Sequence, residues 1–187
     1  MTDAACRLYE RLLVLRCQAG EEAALGELIA RYSPGLRFFL RKIVRADAPC
    51  DDLLQETWFD VYRKINGLQN PDAFAAWVYR IARDRAYREL RRRPPPGNLA
   101  DGVPEAVAAE EETFTAEEAA LVRTALDELP QEQREVLALR FIEDMSYEQI
   151  AEVVSCPVGT VRSRIHYAKT ALRAKLQTTS LKKETRS

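Results

Sequence analysis

Arginines interleaved with aromatics carry the first chemical signal in this chain. Residues 80–93 read RIARDRAYRELRRR, seven arginines against Asp84 and Glu89, net +5. Residues 156–187 hold eight Lys/Arg against Glu184 alone, net +7. Two separate cationic stretches, in a chain of 28 basic and 29 acidic side chains, are the footprint of a polyanion-binding surface. The first stretch follows Phe74, Trp77 and Tyr79, so guanidinium groups stand beside rings able to stack on unpaired bases. Helical spacing sends Phe74 and Trp77 to a core face with Val78 and Ile81. Tyr79 falls on a different face and, with Arg80 and Arg83, is the better base-contacting candidate. A solvated charged helix face is the plainer reading of either stretch taken alone.

The second stretch overlaps a folding pattern. Residues 146–170 read SYEQIAEVVSCPVGTVRSRIHYAKT. Ser146 followed by Gln149 is a capping box that starts a short helix. Ile150, Ala151 and Val154 turn inward, Ser155-Cys156-Pro157 breaks the chain, and Val158, Val161 and Ile165 turn inward on the next helix. This is a helix-turn-helix, whose second helix enters the major groove. Its outward residues are Thr160, Arg162, Ser163, His166 and Tyr167, flanked by Arg164 and Lys169. Arg can contact guanine through two hydrogen bonds, and Ser or Thr can reach a base or a phosphate. An ordinary αα-hairpin with a charged face has the same spacing.

A third cluster has no net positive charge. Asp51 and Asp52 open the stretch DDLLQETWFDVYRKI, where two acids suit a helix N-terminus. With Leu54, Trp58 and Val61 inward, the residues Asp52, Gln55, Glu56 and Phe59 show a polar and aromatic surface fit for a protein partner. Capping alone also accounts for the acids.

The elements that position these residues are helical throughout. The chain has 187 residues, 47% apolar and 30% charged, with only 7 glycines, which disfavours a Gly-rich sandwich or barrel. No window has the roughly 18 apolar residues of a membrane span. The start, MTDAACRLYERLLVLR, is too charged for a signal peptide. Cys6, Cys17, Cys50 and Cys156 form no CxxC pair, and there is one His, so the spacing supports no zinc site, disulfide framework or metal-dependent chemistry. The expectation is a reduced, cytoplasmic protein with no cofactor and no catalytic residues, since no cluster of His, Cys or carboxylates is set out for catalysis.

The segment RRRPPPGNLADGVPEAVAAEEE divides the chain. Three prolines in a row cannot continue a helix. Residues 94–115 carry five acids and no Lys or Arg, and read as a flexible linker. The expected fold class is therefore all-α, with two small helical domains at 1–93 and 116–187. In the first domain, Leu8, Leu12, Leu15 and Ala19 mark the buried face of one helix, and Ala24, Leu25, Leu28 and Ile29 that of the next. Ser33-Pro34-Gly35 is expected to interrupt or kink the chain before Leu36 to Val44. A further helix begins near Ala48-Pro49, Asn66-Gly67 and Asn70-Pro71 mark a loop, and a last helix covers 71–92. The second domain is expected to hold helices at Ala116–Leu129 and Gln131–Phe141, then the helix-turn-helix, ending near Gln177.

Taken in order, DDLLQETWFDVYRKI, FAAWVYRIARDRAYRELRRR, the Pro/acid linker and LDELPQEQREVLALRFIEDMSYEQIAEVVSCPVGTVRSRIHYAKTALRAKL resemble a bacterial extracytoplasmic-function (ECF, group 4) sigma factor over residues 8 to 177. The resemblance implies a region 2 bundle and a region 4 helix-turn-helix domain. It implies docking on the β′ clamp helices and β flap of core RNA polymerase, the clamp contact running through Asp51, Asp52, Leu53, Gln55, Glu56 and Phe59. It implies recognition of a melted minus-ten element by Asn66, Gly67, Leu68, Tyr79, Arg80, Arg83 and Asp84. It implies recognition of a duplex minus-thirty-five element by Arg140, Thr160, Arg162, Ser163, His166, Tyr167 and Lys169. It also implies an anti-sigma factor that holds the protein inactive, in some members at the inner membrane. Asp84 departs from the Asn that many members have there; beside single-stranded DNA an anion needs a partner such as Arg80 or Arg88. Three rivals differ in class: a stand-alone dimeric repressor or activator, a decoy that binds only the anti-sigma factor, and a nucleic-acid enzyme. The chain shows no dimerisation stripe, retains both basic stretches, and lacks a catalytic cluster, which counts against each in turn.

Overall fold

The structure, a computed structural model, describes the backbone of residues 3–44, 48–92 and 124–184 and the side chains of 5–44, 49–92 and 124–174. The linker at 94–115 and most of the helix expected at 116–129 lie outside those residues. The described residues are helical, without strands. The N-terminal domain holds α1 (Asp3–Gln18), α2 (Glu22–Val44), α3 (Ala48–Lys64), short 3-10 turns at Ile65–Gly67 and Pro71–Ala73, and α4 (Phe74–Arg92). After a helical turn at 124–127 come α5 (Gln131–Phe141), α6 (Tyr147–Val154) and α7 (Val158–Glu184).

α1 is rotated from the expected orientation. Leu13 and Val14 are buried, whereas Leu8, Leu12 and Leu15 are 69%, 49% and 45% exposed. Ala19 is exposed as well. The helix carries two apolar stripes, and polar contacts choose between them. The Gln18 side-chain amide donates to the carbonyls of Ile65 and Leu68, each at 2.8 Å, and the Tyr9 hydroxyl donates to Glu27. Hydrophobic periodicity does not weigh such contacts.

α2 also departs from expectation, running unbroken through Pro34. An internal proline costs a helix about 3 kcal/mol through its missing N–H and ring clash. Leu36, Phe39, Leu40 and Ile43 beyond it are at most 2% exposed. Each buried side chain of that size contributes about 1.5–3 kcal/mol, so their burial outweighs the proline. Trp58 on α3 donates its indole N–H to Ser33 at 3.1 Å and covers the same turn.

The helix-turn-helix forms as its sequence specifies. Ser146 and Gln149 close the capping box on α6. Ser155 ends α6 in the left-handed region at φ 53°, and α7 begins two residues after Cys156. Ile150, Val154, Val161 and Ile165 are buried as expected.

The two domains do not hang apart. α6 packs on α4, and α5 packs on α2. Val136, Leu139, Met145, Ile150 and Val153 join Phe39, Ile43 and Tyr79 in one continuous core. A separate small cluster of Leu129, Leu137 and Ala168 ties α5 to α7.

Candidate polymerase and nucleic-acid interfaces

On α3, Asp51, Asp52, Gln55, Glu56 and Phe59 are exposed, and together they make one outward surface. Leu53 does not share it: its side chain is 5% exposed and belongs to the core with Leu54 and Trp58. Of the residues expected on the polymerase-binding surface, Leu53 is therefore the one whose side chain points into the core. Asp51 is already paired with Arg37 at 2.6 Å. The Arg63 guanidinium lies 5.5 Å from the centre of the Phe59 ring. Sequence reasoning missed Tyr62, which is 62% exposed and lies one turn beyond Phe59. Its spacing of three from Phe59 was the available signal.

Glu56 connects this surface to α4. Arg85 donates to Asp60 at 2.7 Å and to Glu56 at 2.8 Å, and Lys64 stands 3.2 Å from Asp60. Burial pushes the Asp60 carboxyl up, but hydrogen bonds from Arg85 and then Lys64 outweigh it and leave it below the ordinary range.

The 3-10 turns place the loop before α4. Gln18 grips the first turn from behind, leaving Asn66 and Gly67 exposed and Leu68 half-buried. Asn70 caps the second turn, accepting from the Asp72 N–H at 3.1 Å. α4 then divides its arginines by face. Arg80 and Arg88 are exposed, with Asp84 between them. Among the described residues Asp84 makes no ion pair with either, so its carboxylate stands open in a cationic stripe. Arg83 and Arg85 are half-buried and held by acids.

Tyr79 is the main correction on this helix. Its side chain is fully buried, packed edge-on against Phe39 at 5.3 Å, and its hydroxyl faces Glu143 without completing a hydrogen bond. Burial, and then the Glu143 charge, push that hydroxyl far above its ordinary value. It is therefore not an exposed stacking platform in this arrangement. The face assigned to it by helical spacing is real, but the C-terminal domain covers that face. Phe74 is buried and Trp77 half-buried, as their spacing implied.

In the C-terminal domain, Arg162, Ser163, His166, Tyr167 and Lys169 are exposed along one face of α7, with Thr160 partly so. Ser163 donates to the Thr160 carbonyl at 2.9 Å, and the His166 and Tyr167 rings meet edge-on at 5.6 Å. Arg164 turns away and pairs with Glu132 at 2.6 Å, locking α7 to α5. Arg140 is engaged at the α5–α6 corner, donating to Asp144 at 3.1 Å and to the Met145 carbonyl at 3.0 Å. Phe141 and Ile142 are exposed beside this face, with the Lys169 ammonium over the Phe141 ring at 4.7 Å. The arrangement offers donors and rings for a polyanion, and among the described residues no group of three His, Cys, Asp or Glu is placed to hold a metal ion. No helix among them is long and apolar enough to cross a membrane.

The chain matches two family models, Sigma-70 region 2 over residues 28–94 and Sigma-70 region 4 over residues 119–172. It is 34% identical to an ECF RNA polymerase sigma-E factor of Haemophilus influenzae, across 91% of this chain and 97% of that one. Identity to the ECF RNA polymerase sigma-E factor of Escherichia coli is 32%, across 91% and 96%. Among solved structures it is similar to CnrH in complex with the cytosolic domain of CnrY, at 27% identity and a TM-score of 0.67 over 90% of this chain and 97% of that one. It is also similar to the sigma factor RpoE bound to the anti-sigma factor NepR from Bartonella quintana, at 25% identity and a TM-score of 0.66 over 81% and 96%.

Proposed function

The chain belongs to the ECF RNA polymerase sigma factors, and from that premise we propose that it guides core RNA polymerase to promoters with two elements and helps open the duplex. The exposed α7 face carries the reading: Arg162, Ser163, His166, Tyr167 and Lys169 stand on the second helix of a capped helix-turn-helix. Placed in a major groove, that face reads the minus-thirty-five element as duplex. Arg140 holds the corner that aims it. Asn66, Gly67, Leu68, Arg80, Arg83 and Asp84 engage the minus-ten element as strands separate, with arginines on phosphates and the 66–68 loop beside an extruded base. Tyr79 joins them, and Arg83 is released from Glu135, only if the covering domain moves away. Asp52, Gln55, Glu56 and Phe59, with Tyr62, face the polymerase clamp, and the backbone and packing of Leu53 hold them in register.

Polymerase supplies the chemistry, and this chain supplies address and melting. Each DNA interface is small, and fixing both on one polymerase raises the effective concentration of the second. The domain division at 1–93, 94–115 and 116–187 follows from this reading, as does a cytoplasmic site of action. An anti-sigma factor is the proposed regulator, in keeping with the anti-sigma factor NepR bound to the similar sigma factor RpoE.

The test is transcription by purified core polymerase, with and without this protein, on a library of randomised upstream DNA. Discrete start sites sharing two spaced elements are expected. Tight palindrome binding by the protein alone, with no transcription, would instead make it a dimeric repressor. Absence of binding to either DNA or polymerase would make it a decoy.

A further inference from the structure

Three of the arginines on α4 are held by acids. Arg83 is bound by Glu135 at 3.0 Å, Arg85 by Glu56 at 2.8 Å and by Asp60, and Arg92 by Glu89 at 3.8 Å. Arg80, Asp84 and Arg88 differ from these. All three are exposed, and among the described residues no side chain of the three has an ion pair or a hydrogen-bond partner. They recur every four residues, so they stand one above the other on a single strip of the helix. Each arginine lies at the spacing from Asp84 at which an Asp–Arg pair forms, yet neither pair is made. The strip therefore presents two cations and one anion, all uncommitted within the chain.

The anion is the odd member. In a strip that binds a polyanion, a carboxylate repels the phosphates that the neighbouring arginines attract. Its chemistry suits base edges instead. An ionised carboxylate only accepts, so it bonds a base that offers an N–H. With its pairing edge open, cytosine or adenine offers an exocyclic amino group, and guanine offers one beside its ring N–H. Thymine has no amino group. Its one ring N–H lies between two carbonyl oxygens, which repel a carboxylate.

We propose that Asp84 sets a base preference within the minus-ten element: at one position of the separated strand it accepts from a base bearing an exocyclic amino group and rejects thymine, while Arg80 and Arg88 hold the flanking phosphates. The inference rests on the DNA role proposed for α4 and names the class of base that the role takes. Discrimination here comes from the repulsive contact as much as from the attractive one, since Asp84 weakens the strip's hold on phosphate and returns selectivity.

The experiment assembles core polymerase with wild type, Asp84→Ala or Asp84→Asn and transcribes a library randomised across the minus-ten element. Sequencing the transcribed promoters reads the base distribution at each position. Circular dichroism checks that the variants keep their helices, as an exposed position should allow. With wild type, thymine is expected to be depleted about fivefold against the other bases at one position, the worth of one hydrogen bond. Asp84→Ala is expected to bring that depletion within about twofold and to leave the other positions as they were. Asp84→Asn is expected to admit thymine too, because its amide brings a donor for a thymine carbonyl.

No discrete start sites with wild type would overturn the promoter reading itself, and this inference with it. Discrete starts with one base distribution shared by all three proteins would leave that reading standing and overturn the assignment to Asp84. Thymine admitted at every position by wild type would do the same. So would a uniform loss of transcription in the variants with thymine still rejected, since Asp84 would then act on α4 and not on a base.

Discussion

Replacing Asp60 by Asn tests whether α3 and α4 are held at their angle by charge. Asp60 accepts from Arg85 at 2.7 Å and faces Lys64 at 3.2 Å, with side chains of Asp60 and Arg85 only 13% and 22% exposed. Hydrogen bonds to charged groups are worth about 1.5–3 kcal/mol, whereas exposed ion pairs give about 0–1 kcal/mol. The geometry lies between those limits, because desolvation offsets part of the attraction. The expected loss for Asp60→Asn near neutral pH is about 2 kcal/mol. With a urea slope of about 2 kcal/mol per molar, the unfolding midpoint falls by about 1 M. The folded carboxyl is held below its ordinary value, so this stability is present above the unfolded pKa, 3.8, and is lost as pH falls through the folded value. The gap between wild type and Asp60→Asn must therefore narrow in acid. Urea unfolding of both proteins, repeated with Arg85→Met to complete a double-mutant cycle, measures it. A coupling energy under about 0.5 kcal/mol, or a gap that stays constant from neutral pH into acid, would refute the reasoning.

Ser155 adopts φ 53° at the end of α6, so Ser155→Gly is expected to relieve about 1 kcal/mol of backbone cost and raise the melting temperature by about 2–4 °C. Ser146→Ala removes one side of the capping box and is expected to cost about 1 kcal/mol, read as a lower midpoint in urea. Burial raises the Glu143 carboxyl above its ordinary 4.5, with Tyr79 opposing. The folded chain therefore binds a proton there more readily than the unfolded one, and the cost of burying this group is lost as pH falls through the raised value. Tyr79 from α4 and Tyr32 from α2 face this group, and both stay protonated over that range. The urea midpoint of Glu143→Gln should therefore exceed that of wild type near neutral pH, and the gap should close as pH falls.

Local signals were legible wherever one segment fixes its own answer. The capping box at Ser146, the break at Ser155-Cys156-Pro157, and the inward Ile150, Val154, Val161 and Ile165 all follow from spacing and turn chemistry within a few residues. The exposed face of α7 follows from the same spacing. What was not legible depended on distant partners. Pro34 is tolerated because four buried side chains beyond it hold α2 together. The rotation of α1 is set by Gln18 reaching the 65–68 turn and by Tyr9 reaching Glu27. Tyr79 lies on the face its spacing gave it, but no local pattern says that another domain covers that face. Glu135 looked like one acid among eleven in the second domain, and only its burial against Arg83 sets it apart.

α4 serves three demands at once, and their conflict explains its composition. Phe74, Val78 and Ile81 must face the N-terminal core, Arg80 and Arg88 must stay in water, and the face between them bears Tyr79, Arg83 and Tyr87. On that third face the Glu135 carboxylate, 1% exposed, holds the Arg83 guanidinium at 3.0 Å and also accepts from the Tyr87 hydroxyl. Removing one partner of a buried pair leaves the other charge desolvated and uncompensated, at a cost of about 3–5 kcal/mol. Arg83 is 17% exposed, so water offsets part of that cost. Arg83→Met is therefore expected to lower stability by about 3 kcal/mol at neutral pH, read as a fall of about 1.5 M in the urea midpoint at a slope of about 2 kcal/mol per molar. A loss under about 1 kcal/mol would mean that the pair is screened like an exposed one, and the burial assigned to Glu135 would have to be abandoned.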